Sequence, residues 1–208
     1  MPLGRIIFGP EVMNILHIGC HNGEDHVLDF CKTNKNSINS ITLVDANMEV
    51  LKLAKGVYLK NFDKEKVKIY NLAVLPINLD GLEIPIYQPE GEIDSTIASV
   101  RADFVSLHCL TKINKTHLVK STTLNKLLET EKGVTHLFVD IEGLDTVTLF
   151  NTDLHKFPNI KQIIFECLHS DGIVEMGKRL EALAYYLDSI GFNCSTDNTE
   201  YNMKAIRR

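Results

Sequence analysis

The chain has 208 residues, of which 44% are hydrophobic and 24% charged, and this balance excludes a disordered or fibrous protein. Its formal net charge of -5 argues against nucleic acid as the main partner, because phosphate binding usually requires a basic face. No apolar run approaches the roughly 18 residues of a membrane span, and residues 1–14 do not have the pattern of a secretory signal. We therefore expect one domain over residues 1–208, with no membrane partner.

The five cysteines are odd in number, widely scattered, and form no C-x-x-C pair. This distribution is typical of reduced, buried thiols rather than of a disulfide framework. The sequence therefore predicts a cytoplasmic protein.

In the first part of the chain, short apolar runs alternate with segments of helical periodicity. Early acids favour a helix start at Glu24, and Asn47 is a suitable N-cap for another helix. The predicted elements are, in order, strand Met13–Ile18, helix Glu24–Lys32, strand Ile41–Val44, helix Met48–Asn61 and strand Val67–Tyr70.

The alternation is interrupted near residues 80–105, where turn residues separate two further apolar runs. These runs, Leu82–Tyr87 and Ile97–Val105, are predicted as strands of a small antiparallel insertion. The regular pattern then returns, and Gly191 marks the end of a long helix. The remaining predicted elements are helix Thr122–Thr130, strand Thr135–Val139, helix Leu144–Asn151, strand Ile160–Phe165, helix Glu175–Ile190 and the hairpin strands Phe192–Ser195 and Asn202–Ile206.

Strands that each lead into a helix predict an α/β fold, with a mostly parallel, doubly wound sheet of seven strands and an antiparallel hairpin at the C-terminal end. Ligands of such sheets bind beyond the carboxyl ends of the strands. Polar residues follow five of the predicted strands at that edge: His17 to Asn22, Asp45, Asn71, Asp140 to Glu142, and Glu166 to His169. This convergence is the main functional signal in the sequence.

The first strand runs into two glycines four residues apart, Gly19 and Gly23. Glycine suits a sharp turn close to a ligand, and the helix start that follows exposes free N–H groups. Asp45 ends the next strand, where a carboxylate can accept hydrogen bonds from both hydroxyls of a ribose. These residues predict a site for a nucleotide-like ligand.

Acids that follow an apolar strand are costly unless they face a polar cleft, and Asp140 and Glu142 stand in this position. Glu166 and His169 follow the next strand and offer a carboxylate and an imidazole as general bases. A metal bound by Asp140, Glu142 and His169 is the less favoured interpretation, because no histidine has metal-ligand spacing. No metal is predicted. Ser95, Thr96 and Ser99 are equally compatible with the substrate side of a cleft and with a surface turn.

The sequence contains neither G-x-x-x-x-G-K-[ST] nor G-x-S-x-G, so a phosphate-loop NTPase and an α/β-hydrolase are not expected. The glycine turn also has only two of the three glycines of the dinucleotide fingerprint. A nucleotide-cofactor oxidoreductase is therefore the weaker alternative.

Together these motifs resemble the class I S-adenosylmethionine-dependent methyltransferases and, within them, the FkbM family. The resemblance covers the chain from Ile15 onward and is most specific in Asp140-Ile141-Glu142-Gly143, which matches a D-x-E-G motif after a strand. His17 stands where the family usually has an acid, and His21 where it usually has Asn. The other matching features are the turn His17–Gly23, Asp45, the segments Asn71–Val74, Asp94–Val100 and Thr122–Leu124, and Glu166.

The resemblance implies a Rossmann-like fold, S-adenosylmethionine as cofactor, and methylation of a hydroxyl on a sugar or another small-molecule acceptor. It implies Asp140 as the first choice for the catalytic base, with Glu142 and His169 as alternatives. A non-catalytic binding module with the same fold is a second hypothesis. The residues implied to bind the cofactor are His17, Gly19, Cys20, His21, Gly23, Asp45, Ala46, Asn71, Ala73 and Asp140.

Overall fold

The computed structural model describes residues 12–90, 98–109, 112–167, 176–196 and 202–208. Within these ranges the chain forms ten strands and six α-helices. The strands are β1 (Met13–Ile18), β2 (Ile38–Asp45), β3 (Val67–Asn71), β4 (Ala73–Leu75), β5 (Glu83–Pro89), β6 (Ile113–Thr123), β7 (His136–Val139), β8 (Gln162–Glu166), β9 (Phe192–Thr196) and β10 (Asn202–Arg207). The helices are α1 (His26–Thr33), α2 (Met48–Asn61), α3 (Ala102–Cys109), α4 (Leu124–Thr130), α5 (Asp145–Phe150) and α6 (Met176–Ser189).

The main sheet of the described residues has seven strands in the order β3-β2-β1-β7-β8-β10-β9. Strands β3, β2, β1, β7 and β8 are parallel, whereas β10 pairs antiparallel with both β8 and β9. The predicted doubly wound α/β sheet with an antiparallel hairpin at its end is confirmed. The order reverses at β1, which lies between β2 and β7, and this reversal opens a crevice at the carboxyl ends of these strands.

Two apolar layers cover the two faces of this sheet. On one face, α1 and α2 bury side chains such as Val27, Leu51 and Tyr58 against β1 and β2. On the other face, α4, α5 and α6 bury side chains such as Leu127 and Leu187. The strand ends that form the site are therefore held between two packed layers.

The starts of the first two helices follow directly from the sequence. The Asp25 carboxylate accepts hydrogen bonds from the backbone N–H groups of Val27 and Leu28, so α1 begins at His26 rather than at Glu24. Asn47 caps α2 as predicted, by accepting a hydrogen bond from the N–H of Glu49. The bounds of α2 match the predicted bounds.

A second, three-stranded sheet with the order β4-β6-β5 forms the predicted small β insertion, in which β5 pairs antiparallel with β6, a strand that lies beyond residue 105 and extends to Thr123, while β4 pairs parallel with β6. The predicted strand Ile97–Val105 is wrong where the structure describes it, because Ala102–Cys109 form α3. The adjacent residues Phe104 and Val105 are both buried, which the alternating faces of a half-exposed strand do not allow. Ile97 lies outside the described residues.

None of the helices in the described ranges combines the length and the hydrophobicity that a membrane crossing requires.

Candidate functional site

The turn after β1 is locked against the end of β7. Gly19 has a φ of 72°, and a Cβ at this position would lie 1.5 Å from the carbonyl oxygen of Asp140. The Gly19 N–H donates to the carbonyl of Val44, and the Asp140 N–H donates to the carbonyl of Ile18, at 2.8 and 2.9 Å. Only glycine can bring the two strand ends this close, so the turn is a fixed part of the crevice.

His21 and Asp45 link the ends of β1 and β2. The Asp45 carboxylate accepts hydrogen bonds from the backbone N–H groups of His21 at 3.0 Å and Asn47 at 2.8 Å. Burial raises the pKa of Asp45, although the charge of His21 and these two donors act in the opposite direction. The two N–H groups fix the orientation of the carboxylate at the crevice.

Asn71 supports this loop from β3 instead of facing the crevice. Its side-chain amide donates to the carbonyls of Asp45 and Ala46, both at 2.9 Å. His117 on β6 also contacts the Ala46 carbonyl, with its Nε2 at 3.0 Å. Ala73, which begins β4, is buried and lines the crevice.

The loop after β7 is held by the insertion. The backbone N–H of Ile141 donates to the buried carboxylate of Asp145 at 2.8 Å. From the other side, the Ser99 hydroxyl donates to the carbonyl of Glu142 at 3.0 Å, and the Arg101 guanidinium donates to the carbonyl of Gly143 at 3.2 Å. These contacts hold the loop in an unusual conformation, in which Glu142 has a φ of 51°.

Several carboxyl groups influence one another at this edge of the sheet. Burial, followed by the charges of Asp140, Glu166 and Asp45, raises the pKa of Glu142 to about 9. Burial and the Asp140 charge raise the pKa of Glu166 to about 8, and the same two causes raise that of Asp145. The charge of Asp140 is thus a cause of the raised pKa that all three of these carboxyl groups share.

The crevice forms a cleft that encloses about 520 Å³, including space that is open to solvent. The strand ends of β1, β2 and β7, the start of β4 and residues 98–100 line it, and they contribute Asp45, Asp140 and Glu142 but no lysine or arginine. The cleft of the described residues therefore suits a ligand that carries positive charge.

Six of the ten residues implied to bind a cofactor line this cleft: Gly19, His21, Asp45, Ala46, Ala73 and Asp140. The side chains of the other residues face elsewhere. Cys20 is fully buried in the core beneath α1 and α2, and burial raises the pKa of its thiol. Gly23 packs against Ala54 of α2, and Asn71 holds the Asp45 loop.

His17 is also buried away from the cleft. Its Nε2 lies 3.6 Å from a carboxylate oxygen of Asp25, and its ring meets Phe138 edge-on. Burial lowers the pKa of His17 to about 4, against the attraction of Asp25, with His21 and His26 adding to the decrease. His17 is thus a neutral core residue.

Among the implied catalytic residues, the structure brings Asp140 and Glu142 together at the cleft. His169 lies outside the described residues, as do Ser95 and Thr96, whereas Ser99 lines the cleft. Sequence reasoning missed Asp145 and Arg101. Asp145 could have been found as a third acid two residues after the Asp140–Gly143 motif. Arg101 is not part of any motif, and only the tertiary fold brings it to the carbonyl of Gly143.

Comparison with known proteins identifies the fold. No protein-family model and no curated protein sequence matches the chain. Among solved structures, the methyltransferase FkbM from Methylobacillus flagellatus KT superposes with a TM-score of 0.60 at 10% identity, over 97% of this chain and 45% of that one. A protein named as a caffeoyl-CoA O-methyltransferase from Staphylococcus aureus superposes with a TM-score of 0.50 at 13% identity, over 95% and 77%.

The chain spans less than half of the length of the FkbM protein. At identities this low the superposition shows a shared fold and no more, and the mostly parallel sheet with its antiparallel end agrees with that fold. The chain therefore has the fold of the class I S-adenosylmethionine-dependent methyltransferases.

Proposed function

We propose that the protein transfers a methyl group from S-adenosylmethionine to a hydroxyl oxygen of a sugar or another small molecule. The observation that carries this proposal is the acidic cleft without lysine or arginine at the carboxyl ends of β1, β2 and β7. When bound, S-adenosylmethionine supplies a methyl group already activated by a positively charged sulfur. The protein then has mainly to bind, orient and exclude water.

The residues of the cleft fit this cofactor. The Gly19–His21 turn, where a side chain at Gly19 cannot be accommodated, would lie beside the amino-acid end. Asp45, oriented by two backbone N–H groups, would accept hydrogen bonds from the ribose hydroxyls. Leu72 and Ala73 would contact the adenine. Asp140 and Glu142, which follow β7, would face the positively charged sulfur of the cofactor.

The same observations disfavour the oxidoreductase alternative. A dinucleotide places its pyrophosphate against the N–H groups at the start of the first helix. In this chain the Asp25 carboxylate already accepts hydrogen bonds from the N–H groups of Val27 and Leu28, and its charge would repel a phosphate. Asp140 in the cleft lining would add to this repulsion.

We assign to Asp140 the acceptance of the proton that the hydroxyl loses. It lies at the end of β7, lines the cleft, and its charge acts on the neighbouring carboxyl groups. The pKa of Glu142, which burial raises to about 9 in the protein without a bound cation, makes this residue the weaker candidate. The resemblance to FkbM methyltransferases supports a small-molecule acceptor in the cytoplasm.

The first test is a calorimetric titration of the protein with S-adenosylmethionine, S-adenosylhomocysteine and NAD. We expect both sulfur compounds to bind and NAD not to bind. Absence of binding by both sulfur compounds would contradict the proposal. Binding without methyl transfer to any member of a hydroxyl-compound panel would favour the non-catalytic module.

Asp140→Asn tests the role of the base. We expect methyl transfer to fall by about 100-fold or more, since a positioned base contributes about 10²–10⁴ in rate, while S-adenosylhomocysteine still binds. Transfer is measured with a saturating acceptor, and binding by calorimetry. Full turnover with unchanged cofactor affinity would remove Asp140 from this role.

A further inference from the structure

One imidazole and two carboxylates converge in the cleft at the ends of β1 and β7. His21, Asp140 and Glu142 each place a potential ligand atom within 4.8 Å of the others, and Nε2 of His21 lies 3.6 Å from Oε1 of Glu142. We propose that these three side chains bind a divalent metal ion of the Mn²⁺ type. The site itself does not depend on the methyltransferase assignment.

The spacing suits metal ligation better than direct hydrogen bonding. Donors that are neighbours around one metal ion, each about 2.1 Å from it, lie roughly 3.0–3.5 Å apart. The separation of 3.6 Å between His21 and Glu142 is close to this range, but it is too long for a hydrogen bond. Within the described residues, the buried Nε2 of His21 therefore has no hydrogen-bond partner, which is costly unless another group satisfies it.

The backbone holds two of these ligands in a conformation that few residues adopt. Among the residues that the structure describes, His21 and Glu142 are the only non-glycine residues with positive φ, at 45° and 51°. Asp45 fixes the backbone of His21, while Ser99 fixes that of Glu142. Such strain costs about 1–3 kcal/mol per residue, and it persists where the surrounding structure determines it, often at ligand sites.

The charge around the three side chains calls for a cation. Asp45 adds a third carboxylate to the cleft, and the described lining supplies neither lysine nor arginine. Asp145 lies behind the Asp140–Glu142 loop, is completely buried, and has one carboxylate oxygen without a hydrogen-bond partner in the described part of the chain. Through its other oxygen, Asp145 accepts the hydrogen bond from the Ile141 N–H and so supports the loop that carries Asp140 and Glu142.

The set of donor atoms indicates which metals fit. Carboxylates with one imidazole and no thiolate suit Mn²⁺ or Fe²⁺ and also accept Zn²⁺. Three protein ligands leave coordination positions open for water or a substrate hydroxyl. If the proposed methyl transfer holds, the ion would bind the acceptor hydroxyl and lower its pKa, which eases proton loss to Asp140. Only this role rests on the proposed function.

The sequence predicted no metal because the ligands come from distant segments and include His21 instead of His169. His21 stands in a glycine turn, where it has no metal-ligand spacing to another histidine. His21 lies near Asp140 and Glu142 only because the turn at Gly19 contacts the end of β7.

The test is titration of the chelator-treated protein with MnCl₂, followed by electron paramagnetic resonance and calorimetry. We expect a single ion per chain and, in pulsed spectra of the wild type, coupling to an imidazole nitrogen. His21→Asn, which tolerates positive φ, and the isosteric Glu142→Gln should each weaken Mn²⁺ binding by about tenfold or more. The matched controls His155→Gln and Glu129→Gln, at exposed positions, should bind like the wild type.

The proposal is overturned if the wild type does not bind Mn²⁺, if no nitrogen coupling is seen, or if His21→Asn and Glu142→Gln bind with unchanged affinity. The nitrogen coupling is measured on the wild type, so it remains decisive if a variant folds poorly. A parallel titration with S-adenosylhomocysteine separates the two proposals. Mn²⁺ binding without binding of this compound would contradict only the proposed function, and the reverse result would contradict only the metal site.

Discussion

Gly19 is the residue at which the β1 turn touches the end of β7. A methyl group there would overlap the carbonyl oxygen of Asp140, and the positive φ adds strain for any side chain. We expect Gly19→Ala to reduce the free energy of unfolding by about 2–4 kcal/mol and to abolish binding of S-adenosylhomocysteine, because the strand ends must separate. Urea unfolding and calorimetry measure the two effects.

Gly56 provides the control for this substitution. It lies within α2, and a Cβ there would meet no atom within 4 Å. Gly56→Ala should therefore increase stability by roughly 0.5–1 kcal/mol through the lower entropy of the unfolded chain, with binding unchanged. If Gly19→Ala behaved like Gly56→Ala, the contact with Asp140 would not shape the cleft.

At residue level, the sequence predicted the candidate site from residues that stand directly after strands. Gly19, Asp45 and Asp140 were found in this way, because parallel strands bring their carboxyl ends to one edge. The direction in which a side chain points was less accessible. His17 and Cys20 stand in the same turn as His21, yet both are buried in the core. The apolar residues of the strand and the two glycines do not indicate which side chains of the turn face the cleft.

At the level of elements, prediction succeeded where periodicity and a cap agree. The bounds of α2 follow from Asn47 and the apolar residues on one side of the helix. The insertion was harder, because the eleven residues of β6 are of mixed polarity without clean alternation, and seven of them pair with β5. Long-range pairing decides such a strand, and the local sequence does not reveal it.

Glu131 joins three elements on the side of the main sheet that faces α4. Glu131 is the residue that follows α4. Its carboxylate accepts hydrogen bonds from Thr42 on β2 at 3.1 Å and from Lys68 and Tyr70 on β3 at 2.8 and 2.7 Å. Burial acts to raise the pKa of Glu131, but hydrogen bonds from Lys68 and Tyr70 outweigh it and lower the pKa. The carboxylate is therefore the form that holds β2 and β3 to α4.

We expect Glu131→Gln to reduce the free energy of unfolding by about 1–3 kcal/mol, because an amide cannot accept all three hydrogen bonds and leaves Lys68 without its counter-charge. Chemical denaturation measures this change. The exposed neighbour Glu129 is the control, and Glu129→Gln should stay within about 0.5 kcal/mol of the wild type. Equal stability of the two variants would show that the network does not join the elements.

For the whole molecule, the net charge of -5 is unevenly placed, since several acids meet in one cleft between the two apolar layers. The sheet order that creates this cleft was predictable from the alternation of strands and helices. The extent to which the carboxyl groups of Glu142 and Glu166 are buried was not predictable. This burial is the largest cause of their raised pKa values. Burial depends on the tertiary fold, in which Ser99 and Arg101 contact the loop that follows β7.

His17 makes the stability of the folded chain dependent on pH. Its pKa is lowered from 6.5 to about 4 in the fold, where Asp25, His21 and His26 are the titratable groups that act on it. Because the unfolded chain binds the proton at higher pH than the folded chain, stability is lost as the pH falls from 6.5 toward 4. A shift of this size corresponds to about 3 kcal/mol in total.

We therefore expect His17→Gln, which cannot bind a proton, to lose less stability than the wild type between pH 6.5 and pH 4. The quantity to measure is the difference in unfolding free energy between the two proteins at each pH, by urea denaturation. The carboxyl groups are common to both proteins and largely cancel in this difference. The variant should be less stable near pH 7, where a buried amide replaces a packed ring, and the difference should shrink on acidification.

His155→Gln separates this effect from the loss of any histidine. His155 is exposed and lacks the burial that acts on His17, so this variant should follow the wild type across the whole range. A difference between His17→Gln and the wild type that stayed constant with pH would mean that His17 already accepts a proton in the fold. The end of β1 would then acquire a buried positive charge next to Asp25 as the pH falls below about 6.5.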